Sequence, residues 1–226
     1  MQRLAFIGLL LALFARPALA DDCVVEREMG SGKGTLDWAL QQAAEGKCLV
    51  SSAELNRHYQ DFFPEALQFS LIRFQRSMDL EISTVLKIQN ARSEPLVLRA
   101  TEDQVVTWRA AASTLGPELS GAKIILDGLR LLGFAQRSLS IRSTETLLIH
   151  SRFIQGTGVG ITLGGHNNWL VDSEVADHPG SGVVVEDQRY QEVIGGALDV
   201  ERLDCQLAVA RTEVGPEGAV ICIALG

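Results

Sequence analysis

The stretch that decides the fold reads Ile125-Leu126-Asp127-Gly128-Leu129-Arg130-Leu131. It recurs as Leu148-Ile149-His150-Ser151-Arg152-Phe153 and again as Leu170-Val171-Asp172-Ser173-Glu174-Val175. Leu131, Phe153 and Val175 fall in register at intervals of 22 residues. A second set keeps that interval: Leu139 and Ile141, then Ile161 and Leu163, then Val183 and Val185. Leu126, Ile149 and Val171 form a third column, and a fourth copy is expected from Leu203-Asp204-Cys205-Gln206-Leu207, after an insertion around 186–199. Each unit holds three very short strands with one or two inward apolar positions apiece. A unit of this size buries its apolar face only by stacking on its neighbours. Stacked strands repeat every ~4.8 Å, as in any sheet. The reading is an all-β parallel solenoid with three faces, in rungs of ~22 residues.

Upstream of the repeat the period-two pattern extends back to Phe69, predicting strands at 69–74, 79–83, 85–89, 96–100, 105–109 and 123–126. Before Phe69 the periodicity is helical. Thr35 is placed as an N-cap for Leu36, Ala39, Leu40 and Ala43, with Gly46 as the stop. Leu55, Tyr59, Phe62 and Phe63 share one face of a second helix over 53–63 that Pro64 ends. The organisation is thus a leader at 1–20, an N-terminal region with one or two short helices at 21–68, and the coil at 69–226. On the second strand of each rung Ile125, Leu148 and Leu170 are expected to face outward, where alternation calls for polar residues. The aromatic helix is the expected cover for that stripe.

The leader begins with a basic Met1-Gln2-Arg3, runs apolar from Leu4 to Phe14 and ends in Ala18-Leu19-Ala20, the pattern of a secretory signal peptide. Beyond it no run reaches the ~20 apolar residues of a membrane helix. At 46% hydrophobic and 21% charged, the 226-residue chain is not disordered. Losing Arg3 and Arg16 with the leader takes the formal charge from −8 to −10. So acidic a chain repels nucleic acid and anionic membrane surfaces. The expected location is secreted or periplasmic. Cys23, Cys48, Cys205 and Cys222 then read as disulfides, in any of three connectivities. Zinc is the alternative, but there is no C-x-x-C and the four histidines are scattered along the chain. Gly30-Ser31-Gly32-Lys33-Gly34-Thr35 looks like the end of a phosphate-binding loop. That loop needs a glycine where Arg27 stands, so the run is read as a turn into the first helix.

The helix-turn Gly34-Thr35-Leu36-Asp37-Trp38-Ala39-Leu40, followed by rungs such as Leu147-Leu148-Ile149-His150-Ser151-Arg152-Phe153, resembles right-handed parallel β-helix proteins of the pectin-lyase-like superfamily. The resemblance spans most of the mature chain and implies a right-handed coil whose open N-terminal end is capped by a helix. It also implies polysaccharide as the partner, and a polysaccharide lyase or glycoside hydrolase if the chain is an enzyme. Eliminases of that superfamily use calcium-binding aspartates and an arginine base, in blocks resembling W-I-D-H and R-x-P-x-x-R. Here Ile149-His150-Ser151 stands where the first would lie, and the only R-x-P-like stretch is in the leader. Calcium is therefore an expectation of the resemblance alone. The alternative is a non-catalytic envelope or surface scaffold, with a protein partner at the uncapped C-terminal end.

Three constellations are candidates for chemistry. Arg130, Arg152 and Glu174 stack on the outer side of the third strand. Two guanidinium groups one strand spacing apart are suited to gripping a sugar carboxylate, whereas Glu174 beside Arg152 makes a simple charge ladder. Asp177-His178-Pro179 puts an imidazole beside an acid, as a general base requires, although Pro179-Gly180 also marks a turn. Asp127, His150, Asp172 and Asp204 form a column at the turn after the second strand, where short polar side chains cap backbone N–H groups. No metal site is assigned.

Overall fold

The computed structural model describes residues 23–29 and 31–185, together with the strand backbones of 191–200, 203–206, 210–214 and 220–224. The leader lies outside the described residues, as do the side chains of Cys205 and Cys222. Apart from two short helices the described chain is all-β, and most of its strands run parallel.

The strands stack in three columns, as a parallel solenoid requires. The first holds Cys23–Val25, Phe69–Phe74, Leu96–Arg99, Ile124–Asp127, Leu147–Ile149 and the opening half of Asn168–Ala176. The second holds Met78–Ile82, Val106–Ala110, Leu129–Leu132, Arg152–Ile154 and the closing half of Asn168–Ala176. The third runs through Lys87–Asn90, Glu118–Gly121, Arg137–Ile141, Val159–Leu163 and Val183–Val185. Trp108, Leu131, Phe153 and Val175 lie in one fully buried file inside the coil. Leu139, Ile161 and Val183 make another, in the register expected.

The third expected column is displaced by one residue. Leu126 pairs with Leu148 and Leu170, not with Ile149 and Val171, and all three leucines point into the coil. The outward stripe is therefore Ile125, Leu147 and Trp169, joined by Ile149 and Val171; Leu148 and Leu170 do not belong to it. A one-residue slip exchanges the two faces of a strand. The fourth copy is also misplaced: the rung continues at Gln191–Val200, parallel to Asn168–Ala176, within the supposed insertion. Leu203–Gln206 instead turns back antiparallel to it, which removes Asp204 from the column of turns.

Cover for the stripe comes from the expected helix. Helix α1 spans Leu36–Ala44, opened by Thr35, whose hydroxyl accepts from the Trp38 N–H at 3.3 Å. Its Leu36, Ala39 and Ala43 join the core of the coil, and the Cys23–Cys48 disulfide ties the first strand to the chain leaving α1. The glycine-rich run forms the preceding turn, where the Thr35 hydroxyl donates to the Gly32 carbonyl. Helix α2 spans Ala53–Tyr59, capped by the Ser52 hydroxyl, and is shorter than the expected 53–63. Phe62 and Phe63 follow in a turn whose N–H groups both bond back to the Tyr59 carbonyl. Leu55, Tyr59 and Phe63 pack on Phe69, Val97, Ile125 and Leu147, while Phe62 and Phe63 meet Trp169 edge-on at 5.5 and 5.9 Å.

Candidate functional site: a basic cleft beside a buried aspartate

The turn between the first and second columns builds the site. Its left-handed position is held by Gly128, His150 and Asp172, with φ of 72°, 51° and 44°, in successive rungs. A residue at positive φ carries least strain when it is Gly or a short polar type. Asp127 is one residue too early for that role: it ends its strand and pairs with Ile149. Capping falls to Ser151 and Ser173, whose buried hydroxyls donate to the Ile149 and Val171 carbonyls and accept the Leu129 and Ser151 N–H groups. The Asp127 carboxylate is thereby left to face outward, under α2.

There it gathers four partners. Tyr59 donates its hydroxyl to Asp127 Oδ2 at 2.8 Å, and Arg99 Nε lies 3.4 Å from the same oxygen. His58 Nε2 is 3.2 Å from Oδ2, and His150 Nδ1 is 3.2 Å from Oδ1. Only 5% of the Asp127 side chain is exposed, against 31% of His58 and 49% of His150. Burial, the Asp127 charge and the hydrogen bond to it all push the Tyr59 phenol far above its usual range. Arg99 is further held by Glu54 of α2 at 3.2 Å.

These groups open onto a cleft of about 470 Å³ lined by His58, Arg99, Asp127, Arg130, His150 and Arg152, among others. Arg130 and Arg152, the two candidates for sugar binding, pair directly across neighbouring strands. Arg152 also pairs with Glu174, its Nε 3.1 Å from the carboxylate. Arg130 is half-buried and has no ion pair among the described residues. Three guanidinium groups on one concave surface suit an anionic group, and a carboxylate fits their forked geometry.

The remaining candidates lie elsewhere. Asp177 is exposed, at a φ of 58°. His178 donates from Nε2 to the Phe153 carbonyl at 3.0 Å and packs against Gly156 and Gly160, so tightly that a Cβ at Gly156 would fall 2.5 Å from its Nδ1. Neither lines the cleft. A larger cleft of about 710 Å³, below the turn that follows α2, is lined by no imidazole or guanidinium. His58, Tyr59 and Arg99 are the site residues that sequence reasoning did not single out. The calcium implied by the resemblance does not fit. Among the described residues the one cluster of three metal-ligating side chains offers two imidazole nitrogens and one carboxylate oxygen, whereas calcium takes six to eight oxygens. Comparison with models of protein families, with curated proteins and with solved structures finds no match to this chain.

Proposed function

We propose that this is an exported, right-handed β-helix protein that binds a carboxylate-bearing polysaccharide along the second face of its coil. In this reading α1 caps the N-terminal end, in rungs of about 22 residues. The observation that carries it is Arg130: a half-buried guanidinium without an ion pair among the described residues, beside Arg152 and Arg99 in one cleft. A carboxylate on successive sugar units is a ligand such a groove takes up in bidentate fashion. Export is supported by the leader sequence and by the Cys23–Cys48 bond, since disulfides persist in oxidising compartments. Arg130 and Arg152 on neighbouring rungs offer the ligand two guanidinium groups one strand spacing apart.

The test is binding and cleavage of a panel of neutral and uronic polysaccharides by the purified chain, with and without chelator. Uronic polymers are expected to bind and neutral ones not to, and Arg130→Ala should weaken binding at least tenfold, the cost of one charge-assisted pair of bonds. An ultraviolet-absorbing unsaturated product would add elimination to binding. Equal binding of neutral and uronic polymers, or none across the panel, overturns the reading in favour of a surface scaffold.

A further inference from the structure

Two of the four histidines that are scattered in sequence meet in space, and their meeting is not explained by sugar binding. His58 comes from the last turn of α2 and His150 from the turn of a rung 92 positions later, yet both aim a ring nitrogen at the buried carboxylate of Asp127. The three ligating atoms, His58 Nε2, Asp127 O and His150 Nδ1, all lie within 4.8 Å of one another. We propose that they hold a transition-metal ion of the zinc type, with an open coordination position facing the cleft.

Three observations carry this. The first is the spacing. Both nitrogen–oxygen separations are 3.2 Å, longer than the ~2.7–2.9 Å of a charge-assisted hydrogen bond. The two nitrogens meet different oxygens of the carboxylate, and one ligating atom from each of the three residues lies within 4.8 Å of the other two, close enough for a single ion to draw them together. The second is the support behind the carboxylate. The Tyr59 hydroxyl donates to Oδ2 and the Arg99 guanidinium makes an ion pair with it at 3.4 Å, holding the carboxylate as outer partners hold ligating carboxylates in metal sites. The third is the donor set and its exposure. Two imidazoles and one carboxylate suit zinc and its neighbours in the first row, and the two rings stand on the cleft side of the carboxylate, accessible to solvent. The buried Asp127 carboxylate supplies the negative charge a cation needs, and Glu54 pairs with the neighbouring Arg99.

The inference does not rest on the sugar reading, because metal is titrated in the absence of saccharide. The full mature chain, disulfide intact, is stripped with chelator and titrated with Zn2+ by calorimetry, and with Co2+ by visible absorption. One equivalent of Zn2+ should bind, and Co2+ should give the visible bands of a low-coordinate nitrogen–oxygen site. His58→Ala and His150→Gly should each lower the affinity at least tenfold and abolish those bands. Glycine is chosen at 150 because the backbone there is left-handed, and alanine suits a helical position such as 58. His166→Ala serves as the control and should bind as the parent does. Circular dichroism and thermal melts verify that each variant is folded. No binding by the folded parent, binding that survives both substitutions, or a preference for Ca2+ over Zn2+ would each overturn the proposal.

Discussion

At the scale of single residues, Asp127 organises the site because it is the one carboxylate that the turn does not need. The serine hydroxyls of the next two rungs satisfy the turn's backbone, so Asp127 is free to receive Tyr59, Arg99, His58 and His150. This has a consequence for pH. Tyr59 has its phenol pKa raised in the folded state, by burial first and then by Asp127. The folded chain therefore holds a proton that the unfolded chain releases at about pH 10. Stability that is complete below that pH is lost progressively as pH rises above it. Thermal melts in chelator from pH 8 to 11 should show this decline, and Tyr59→Phe should flatten it. A decline of unchanged slope in the variant would assign the effect to other groups. His150 and Asp172 were aligned correctly in the sequence, but Asp127 was put in their column where Gly128 belongs. Gly, His and Asp all tolerate positive φ, so aligning the residue types set Asp127 one position late. His58 was invisible, because nothing in a helical pattern tells where on a sheet the helix will dock.

At the scale of elements, α2 does what its aromatic face demands. The first-column strands are apolar on both sides: Leu147-Leu148-Ile149 has no polar member to mark which side is outward. Strands covered on both faces lose the alternation by which register is read. That is why the existence of the stripe and its cover were legible while Leu148 and Leu170 were assigned to the wrong side. Six strands from 69 to 127 were read to within two residues, but Glu118–Gly121 of the third column was missed, its short Glu-Leu-Ser-Gly run carrying a single buried apolar residue. Phe63→Ala removes a buried ring that packs on Trp169 and should destabilise the chain by about 3 kcal/mol. The same substitution should raise amide exchange in α2 more than in Leu129–Leu132, which lies on another face. Equal loss of protection in both would show that α2 and the coil unfold as one unit. Because His58 and Tyr59 ride on α2, this helix also positions one side of the cleft.

At the scale of the whole molecule, a solenoid draws its stability from contacts between neighbouring rungs, so its ends are its weak points. The Cys23–Cys48 bond closes a loop of 25 residues around α1 and anchors the outermost strand of the first column. Replacing both cysteines by serine should cost about 3 kcal/mol, read as a lower denaturant midpoint. The same midpoint for reduced parent and double variant would attribute the whole loss to the crosslink. The three-column architecture could be read from the sequence because the 22-residue interval recurs in two independent apolar columns. The groove's chemistry could be read only in part. Arg130 and Arg152 stack within one register, but Arg99 reaches them from a strand whose rung the repeat does not cover. Sugar binding at the cleft is tested by a crystal structure of the chain with a uronic-acid oligosaccharide. A sugar carboxylate is expected within hydrogen-bonding distance of Arg130 and Arg152, in the cleft that contains His58, Asp127 and His150. An oligosaccharide seated on another face, with the cleft holding only solvent, would contradict it.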